Sequence, residues 1–222
     1  MTEAGVLCHS RFWNLAGIQL VVASMTSTTL DSTVRNAETS IPLVPLLDER
    51  WSPRSFDPTA TLTDEQLTAL LEAARWAPSA ANSQPRRFVV GRRGSTTFDA
   101  IVKALMGFNA AWAGNSSALI VAIAETSTVE GEPRQWAEYD LGQSVAHLSV
   151  QAHHEGLHTH QMAGVDWDQI TAAFDLADNL KPVTVTAVGV VDEAEKLVEA
   201  LAERETAPRT RLSLDELVLV RD

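Results

Sequence analysis

Apolar positions along this chain recur with a helical period in some stretches and run unbroken or alternate in others, and these shifts lay out its elements. Thr63-Asp-Glu-Gln66 has the form of a capping box, in which a threonine and a glutamine three residues on satisfy free backbone N–H groups at a helix start. Leu67, Leu70, Leu71 and Ala74 follow at i, i+3, i+4 and i+7, which predicts a helix that Pro78 stops. Arg87 to Gly91 (RFVVG) reads as a short strand, and Phe98, Ile101, Val102 and Leu105 mark another helix with Gly107 as its stop. The uninterrupted run Ala118 to Ala124 suits a strand covered on both faces. A long helical pattern extends from about Trp136 to Glu155, with Leu141, Val145, Leu148 and Ala152 as its buried stripe and Gly156 at its end. Leu157 to Asp166 is then extended and breaks at Gly164, and Asp166 with Gln169 caps a helix containing Ile170 and Phe174. Val183 to Val191 is a β-rich strand, and Glu193 to Glu205 a charged amphipathic helix.

The N-terminal stretch reads differently. Residues 12–23 are apolar but too short to span a bilayer, and they contain Asn14 and Gln19. Residues 26–40 are rich in Ser and Thr without a sustained period. The expected organisation is a poorly ordered extension over residues 1–40, with Met25 as an alternative native start, and one α+β domain over residues 41–222, which no repeat, linker or low-complexity tract divides.

Composition narrows the function classes. The 222 residues include 45% hydrophobic side chains, enough for a sizeable core. A net charge of -12, from 17 basic and 29 acidic residues, argues against nucleic acid as a partner, because phosphate affinity rests on clustered Lys and Arg. Any phosphate must be held locally. The single cysteine, Cys8, excludes an intrachain disulfide and argues against a Cys-based metal site, which fits a reducing, cytoplasmic setting, and no membrane partner is expected.

Candidate chemistry lies in a few stretches. Arg50, Ser52 and Arg54 alternate, so in an extended chain they point the same way and could hold an anion. Spacing alone favours the other reading, an exposed basic loop paired with this chain's carboxylates. Arg209 and Arg211 repeat the two-residue spacing near the end. The loop APSAANSQP, residues 77–85, has too little bulk for core and too few charges for an ordinary solvated loop; it suits a flat ligand lying against backbone. Trp136 enters the long helix after a short acidic loop and is the tryptophan placed near a ligand; the others are read as core or interface. His153, His154, His158 and His160 lie close in sequence, but Gly156 breaks their register and no acidic or Cys partner stands at a metal-ligand spacing, so no metal is expected. Nucleophile-elbow, P-loop and G-x-G-x-x-G patterns are absent from the sequence.

Taken in order, Arg50-Trp-Ser52-Pro-Arg54-Ser-Phe56, Ala77-Pro78-Ser79-Ala80-Ala81-Asn82-Ser83-Gln84-Pro85, Met162-Ala163-Gly164-Val165-Asp166 and Arg209-Thr-Arg211 resemble the FMN-dependent nitroreductase family over roughly residues 41–222. The Pro-Ser-x-x-Asn-x-Gln-Pro stretch is the most specific part. The resemblance implies an α+β fold with a mostly antiparallel central sheet flanked by helices, built as an intertwined homodimer with shared FMN sites. It places the FMN phosphate on Arg50, Ser52, Arg209 and Arg211, and Arg54 and Asn109 near the pyrimidine edge of the flavin. Pro78, Ser79, Ala80 and Asn82 resemble the loop that meets the ring from the partner subunit. The backbone at Ala163 and Gly164 resembles the turn that donates an N–H to flavin N5. Trp51, Gln84 and Met162 belong to the same motifs and are carried as cofactor-binding positions, and Trp136 as a substrate position.

The implied reaction is ping-pong, with NAD(P)H as reductant and a nitroaromatic, quinone or similar electron-poor small molecule as acceptor. No residue of the chain need be catalytic, since flavin N5 carries the chemistry; a guanidinium at Arg54 would favour the reduced, negatively charged flavin. The alternatives are a protein that sequesters FMN without turnover, and a dehydrogenase or dehalogenase of the same fold. Departures from the family pattern are Arg86, where many relatives have an aromatic residue, the short segment 125–135, where relatives carry a lid, and Ala163, which is acidic in some relatives. From the first two, a more open site or a different substrate follows.

Overall fold

The apolar run read as a doubly covered strand is the middle of the sheet. In the computed structural model, which describes residues 35–222, Ala118–Glu125 (β2) is buried at every position through Ala124. It pairs antiparallel with Arg86–Arg92 (β1) on one side and Leu180–Gly189 (β4) on the other, while His158–Met162 (β3) pairs antiparallel with β4. The sheet order is β1-β2-β4-β3.

Strand alternation sends the two halves of that run into separate cores. Ala118 and Ile120 pack with Leu70 and Ala74 of Asp64–Arg75 (α2) and Leu148 and Ala152 of Ala137–His154 (α4). Leu119, Val121 and Ile123 face the other way. There they meet Phe98 and Ile101 of Thr96–Ala104 (α3), Trp112, Ile170 of Trp167–Ala173 (α5) and Leu201 of Glu199–Thr206 (α6). A strand between two helical layers has no solvent face, which is why its sequence shows no polar alternation. The fold is thus the expected α+β sheet flanked by helices.

Most element expectations are met. The capping box at Thr63 forms, with Gln66 N–H donating to Thr63 Oγ1 at 3.1 Å and Thr63 N–H to Gln66 Oε1 at 3.0 Å. Leu141, Val145, Leu148 and Ala152 are the buried stripe of α4, and Asp166 accepts from the Gln169 N–H at the start of α5.

Three expectations are corrected. Helix α3 ends before Leu105, which is extended, and Gly107 opens a 3₁₀ turn (Gly107–Ala111) rather than closing the helix. The cause is tertiary: Asp166 N–H takes the Ala104 carbonyl at 2.8 Å, and Met106 N–H turns to the Gly164 carbonyl at 3.0 Å. The helix expected over 193–205 is split into a 3₁₀ turn, Ala194–Lys196, an extended link at Leu197 and Val198, and α6. Ser55 grips the start of this segment through Asp192 N–H to Ser55 O (3.0 Å) and Ser55 Oγ to Glu193 O (2.6 Å), while Leu197 packs on the core. The last strand begins at Leu180, with a register shift opposite Ala122 and Ile123 where Pro182 enters the ladder.

Short helices at Pro45–Asp48 (α1) and Leu214–Leu217 (α7) were not expected; the second carries a Ser213–Glu216 capping box that is legible in the sequence. Asn36 and Ala37 are tied to Asp48 by side-chain and backbone hydrogen bonds. The expectations for residues 1–34 lie outside the described residues. Among the described residues no helix is long and apolar enough to cross a membrane.

Candidate functional site

The chain from Arg50 to Ser55 alternates as an extended segment should. Trp51, Pro53 and Ser55 are buried, Ser52 is exposed, and Arg50 and Arg54 are half-buried. Arg209 reaches this segment from the far end of the sequence, donating to the carbonyls of Asp48 (2.7 Å), Arg50 (3.1 Å) and Arg35. Burial and then the charge of Arg211 push the Arg50 guanidinium below its ordinary pKa. Arg209 is lowered by burial and then by Arg50, Arg211 and Arg35, with Asp48 opposing. Guanidinium groups separated by more than 150 positions in sequence therefore share one field. Like charges held together in this way are stabilised by a bound anion, and the donor set suits phosphate.

The neighbouring features assemble around the Met162–Asp166 turn. Gly164 O accepts from Met106 N–H at 3.0 Å and from Asn109 Nδ2 at 3.1 Å, and a Cβ on Gly164 would lie 2.9 Å from that nitrogen. Asn109 is thus brought to the turn, and a side chain at position 164 would have to displace its amide. Ala163 and Gly164 are exposed. The side chains of Met162 and Trp51 instead lie in the interior: Met162 belongs to the core cluster, and Trp51 packs edge-on to His158 at 6.1 Å with the Arg35 guanidinium 4.7 Å above its ring. Arg54 faces Glu205, with Nη1 3.6 Å from Oε2.

The loop at 78–85 is strained and clamped. Ala81, Asn82 and Gln84 have φ of 50°, 54° and 49°, a left-handed conformation that costs each residue about 1 kcal/mol or more. Polar contacts hold it there. Asp140 Oδ2 accepts from Ala80 N–H (3.0 Å), Ser79 Oγ from Gln84 N–H (3.1 Å), and Gln84 O from Arg87 (3.0 Å). Ser83 O accepts from Arg134, and Arg134 and Arg87 both pair with Glu125 Oε2, at 3.2 and 3.0 Å. Pro78, Ala80, Asn82 and Gln84 are left exposed. Beside them a cavity of about 340 Å³ is lined by Pro78, Ser79, Ala80, Trp136, Tyr139, Asp140 and Gln143.

Arg86, expected to mark a more open site, does not face it. It is only 9% exposed and donates to the Arg75 carbonyl at 2.6 Å, at the C-terminus of α2. Burial lowers its pKa and the charge of Asp140 opposes that shift. Segment 126–134 is a tight hairpin, with Ser127 bridged to Pro133 and Thr128 N–H bonded to Glu132 O at 2.9 Å. Asp140 and Arg134 were not anticipated. An acidic residue at a buried helix position was the available sign for the first; for Arg134 none was visible.

Asp140→Ala is expected to cost about 2–3 kcal/mol, because it strips the Ala80 N–H of its acceptor and leaves the Arg86 charge buried without a carboxylate. Denaturant melts of Asp140→Ala beside Asp140→Asn check this; a loss under 0.5 kcal/mol, about the size of an ordinary surface substitution, would remove Asp140 as the clamp.

His153, His158 and His160 pack within the fold, and His154 is exposed. His160 Nδ1 lies 2.9 Å from Pro53 O with its ring 4.7 Å from that of Trp112, and His153 and His158 meet edge to face at 5.0 Å. Among the described residues no group of three or more His, Cys, Asp or Glu side chains could hold a metal ion.

Comparisons with known proteins bear on the family and the fold. The model of the family described as the Nitroreductase family matches residues 47–111, which contain the Arg50–Arg54 segment, the strained loop and Asn109. A crystal structure of an oxidoreductase containing FMN superposes with a TM-score of 0.77 at 36% identity, covering 82% of this chain and 92% of that one. An uncharacterised 15.4 kDa protein of Mycolicibacterium smegmatis is 37% identical over 142 residues, 59% of this chain and 92% of its own. The major NAD(P)H-flavin oxidoreductase of Aliivibrio fischeri is 39% identical over 49 residues, 22% of either chain. The fold and the matches define one class, that of α+β oxidoreductases. The chain belongs to the nitroreductase family.

Proposed function

We propose that the protein is an FMN-dependent oxidoreductase that takes electrons from NAD(P)H and passes them to an electron-poor small molecule such as a nitroaromatic or a quinone. The observation that carries this reading is that Arg209 reaches the Arg50 carbonyl at 3.1 Å, bringing cationic side chains from the two ends of the sequence together where a phosphate would offset their charge. A similar structure contains FMN, and the Aliivibrio fischeri relative is named for NAD(P)H and flavin. When bound, FMN supplies two-electron transfer through N5, with donor and acceptor using the site in turn.

The chain's own residues then have distinct tasks. Arg50, Ser52, Arg209 and Arg211 would hold the phosphate; Arg54 would place positive charge by the pyrimidine edge, with Asn109 beside it. The exposed backbone at Ala163 and Gly164 is free to face N5, and the doubly bonded Gly164 carbonyl keeps the turn rigid. Pro78 to Gln84, held in its strained form, offers backbone and small side chains to a flat ring, and Trp136 walls the adjoining cavity.

A homodimer belongs to the same proposal. Leu212, Leu214, Leu217, Leu219 and Val220 at the C-terminal end, and Ile41, Leu43 and Val44 near α1, are exposed. An exposed apolar tail of this kind is covered most simply by a second copy.

Purified full-length protein tests the reading. It is expected to take up FMN and give a flavin spectrum, which NAD(P)H then bleaches in the absence of oxygen. Protein that stays colourless with added FMN would overturn the proposal, and uptake without bleaching would identify a sequestering protein instead.

A further inference from the structure

One buried charge is unexplained by the tasks above. Glu205, in the last turn of α6, is 3% exposed. Its Oε1 accepts from Arg54 N–H at 2.7 Å and from Ser55 N–H at 2.9 Å. Oε2 lies 3.6 Å from Arg54 Nη1, too long for a hydrogen bond, and has no hydrogen-bond partner of its own. A carboxylate is costly to bury unless paired, and here it is offset by two backbone donors and one guanidinium. The backbone around it continues the connection. Arg35 donates to the carbonyls of Glu205 and Ala207, and Arg209 donates to the carbonyl of Arg35. Glu205 thus joins the segment carrying Arg50 to Arg54 with the one carrying Arg209 and Arg211.

We propose that Glu205 is a positioning residue that fixes Arg54 against the site and, through its charge, limits how strongly Arg54 favours the reduced cofactor. The inference rests on the FMN reading above. A guanidinium beside the pyrimidine edge stabilises the negative charge that reduction adds there. A carboxylate within 4 Å of that guanidinium cancels part of its field, so the bound flavin is reduced less readily than Arg54 alone would allow. A backbone clamp without electrostatic influence would also explain the two short N–H contacts, and the two roles separate by experiment.

Glu205→Gln keeps an oxygen for the Arg54 and Ser55 N–H groups and removes the charge. In FMN-loaded protein the midpoint potential is expected to rise, with reduced flavin favoured over oxidised roughly tenfold more than in the wild type. Tenfold corresponds to about 30 mV for a two-electron couple. In an Arg54→Gln background the same substitution is expected to shift the potential far less, because the cation through which Glu205 acts is gone. A potential unmoved by Glu205→Gln, or a shift of equal size without Arg54, would overturn the proposal. Should Glu205→Gln fail to fold, the Arg54→Gln/Glu205→Gln variant decides: recovery of the fold on removing both charges supports the charge pairing, and continued unfolding shows a backbone clamp alone and overturns it. Wild-type protein that takes up no FMN would instead overturn the site reading, together with what rests on it.

Discussion

Replacing Arg209 with alanine is expected to weaken FMN binding by roughly a hundredfold and to lower stability by about 2–4 kcal/mol. The two effects have one origin. Arg209 donates to the carbonyls of Arg35, Asp48 and Arg50, so its loss leaves those carbonyls without their donor, in the segment on which the other phosphate ligands stand, as well as removing one charge. Arg209→Lys keeps the charge but cannot span several carbonyls from one planar fork, and its stability is expected to fall nearly as far as that of alanine while its affinity falls less. FMN titration followed by absorbance, with denaturant melts of the apo-proteins, measures both. An alanine variant that binds FMN as the wild type does would take Arg209 out of the phosphate site.

Acidification is the second large effect. Burial, then His153 and Arg50, lower the pKa of His158 from 6.5 to about 4. His160 is likewise lowered to about 4, chiefly by burial and further by Arg54, against the backbone contacts of Pro53 and Ser52 that raise it. Both folded values lie below the unfolded one, so between pH 6.5 and 4 the unfolded chain binds more protons. Stability is therefore complete above about pH 6.5 and is lost as the pH falls toward 4, by about 2 kcal/mol per histidine at pH 5. Urea melts at pH 7 and pH 5 give the slope, and His158→Gln/His160→Gln is expected to flatten it. A variant retaining the wild-type slope would place the acid sensitivity elsewhere.

The same pair shows where sequence reading stops. His158 and His160 alternate within one extended segment, but their environments follow from what lies opposite: Trp51 and His153 for one, Trp112 and Pro53 for the other. Arg86 makes the point more sharply. As a departure from a motif it pointed to an altered site, yet its side chain passes beneath the loop to the end of α2. Backbone order along a strand gives the face a residue takes, and the partner waiting on that face belongs to another part of the chain.

Local patterns determined what depends on near neighbours. The capping box at Thr63, the stripe of α4 and the cap at Asp166 are set by residues three or four apart, and the unbroken run of β2 reveals its two covered faces because both must be apolar. The ordered motifs also carried the family. Tertiary structure alone decided the break at Leu105, where the Ala104 carbonyl and the Met106 N–H are claimed by Asp166 and Gly164, and the hold of Ser55 on Asp192 and Glu193. It alone brought Arg209 to Arg50, Asp140 to Ala80 and Glu205 to Arg54. Such contacts join residues 60 to 159 positions apart, and their energy comes from buried charge and hydrogen bonding that exist only once the sheet and its two helical layers have closed.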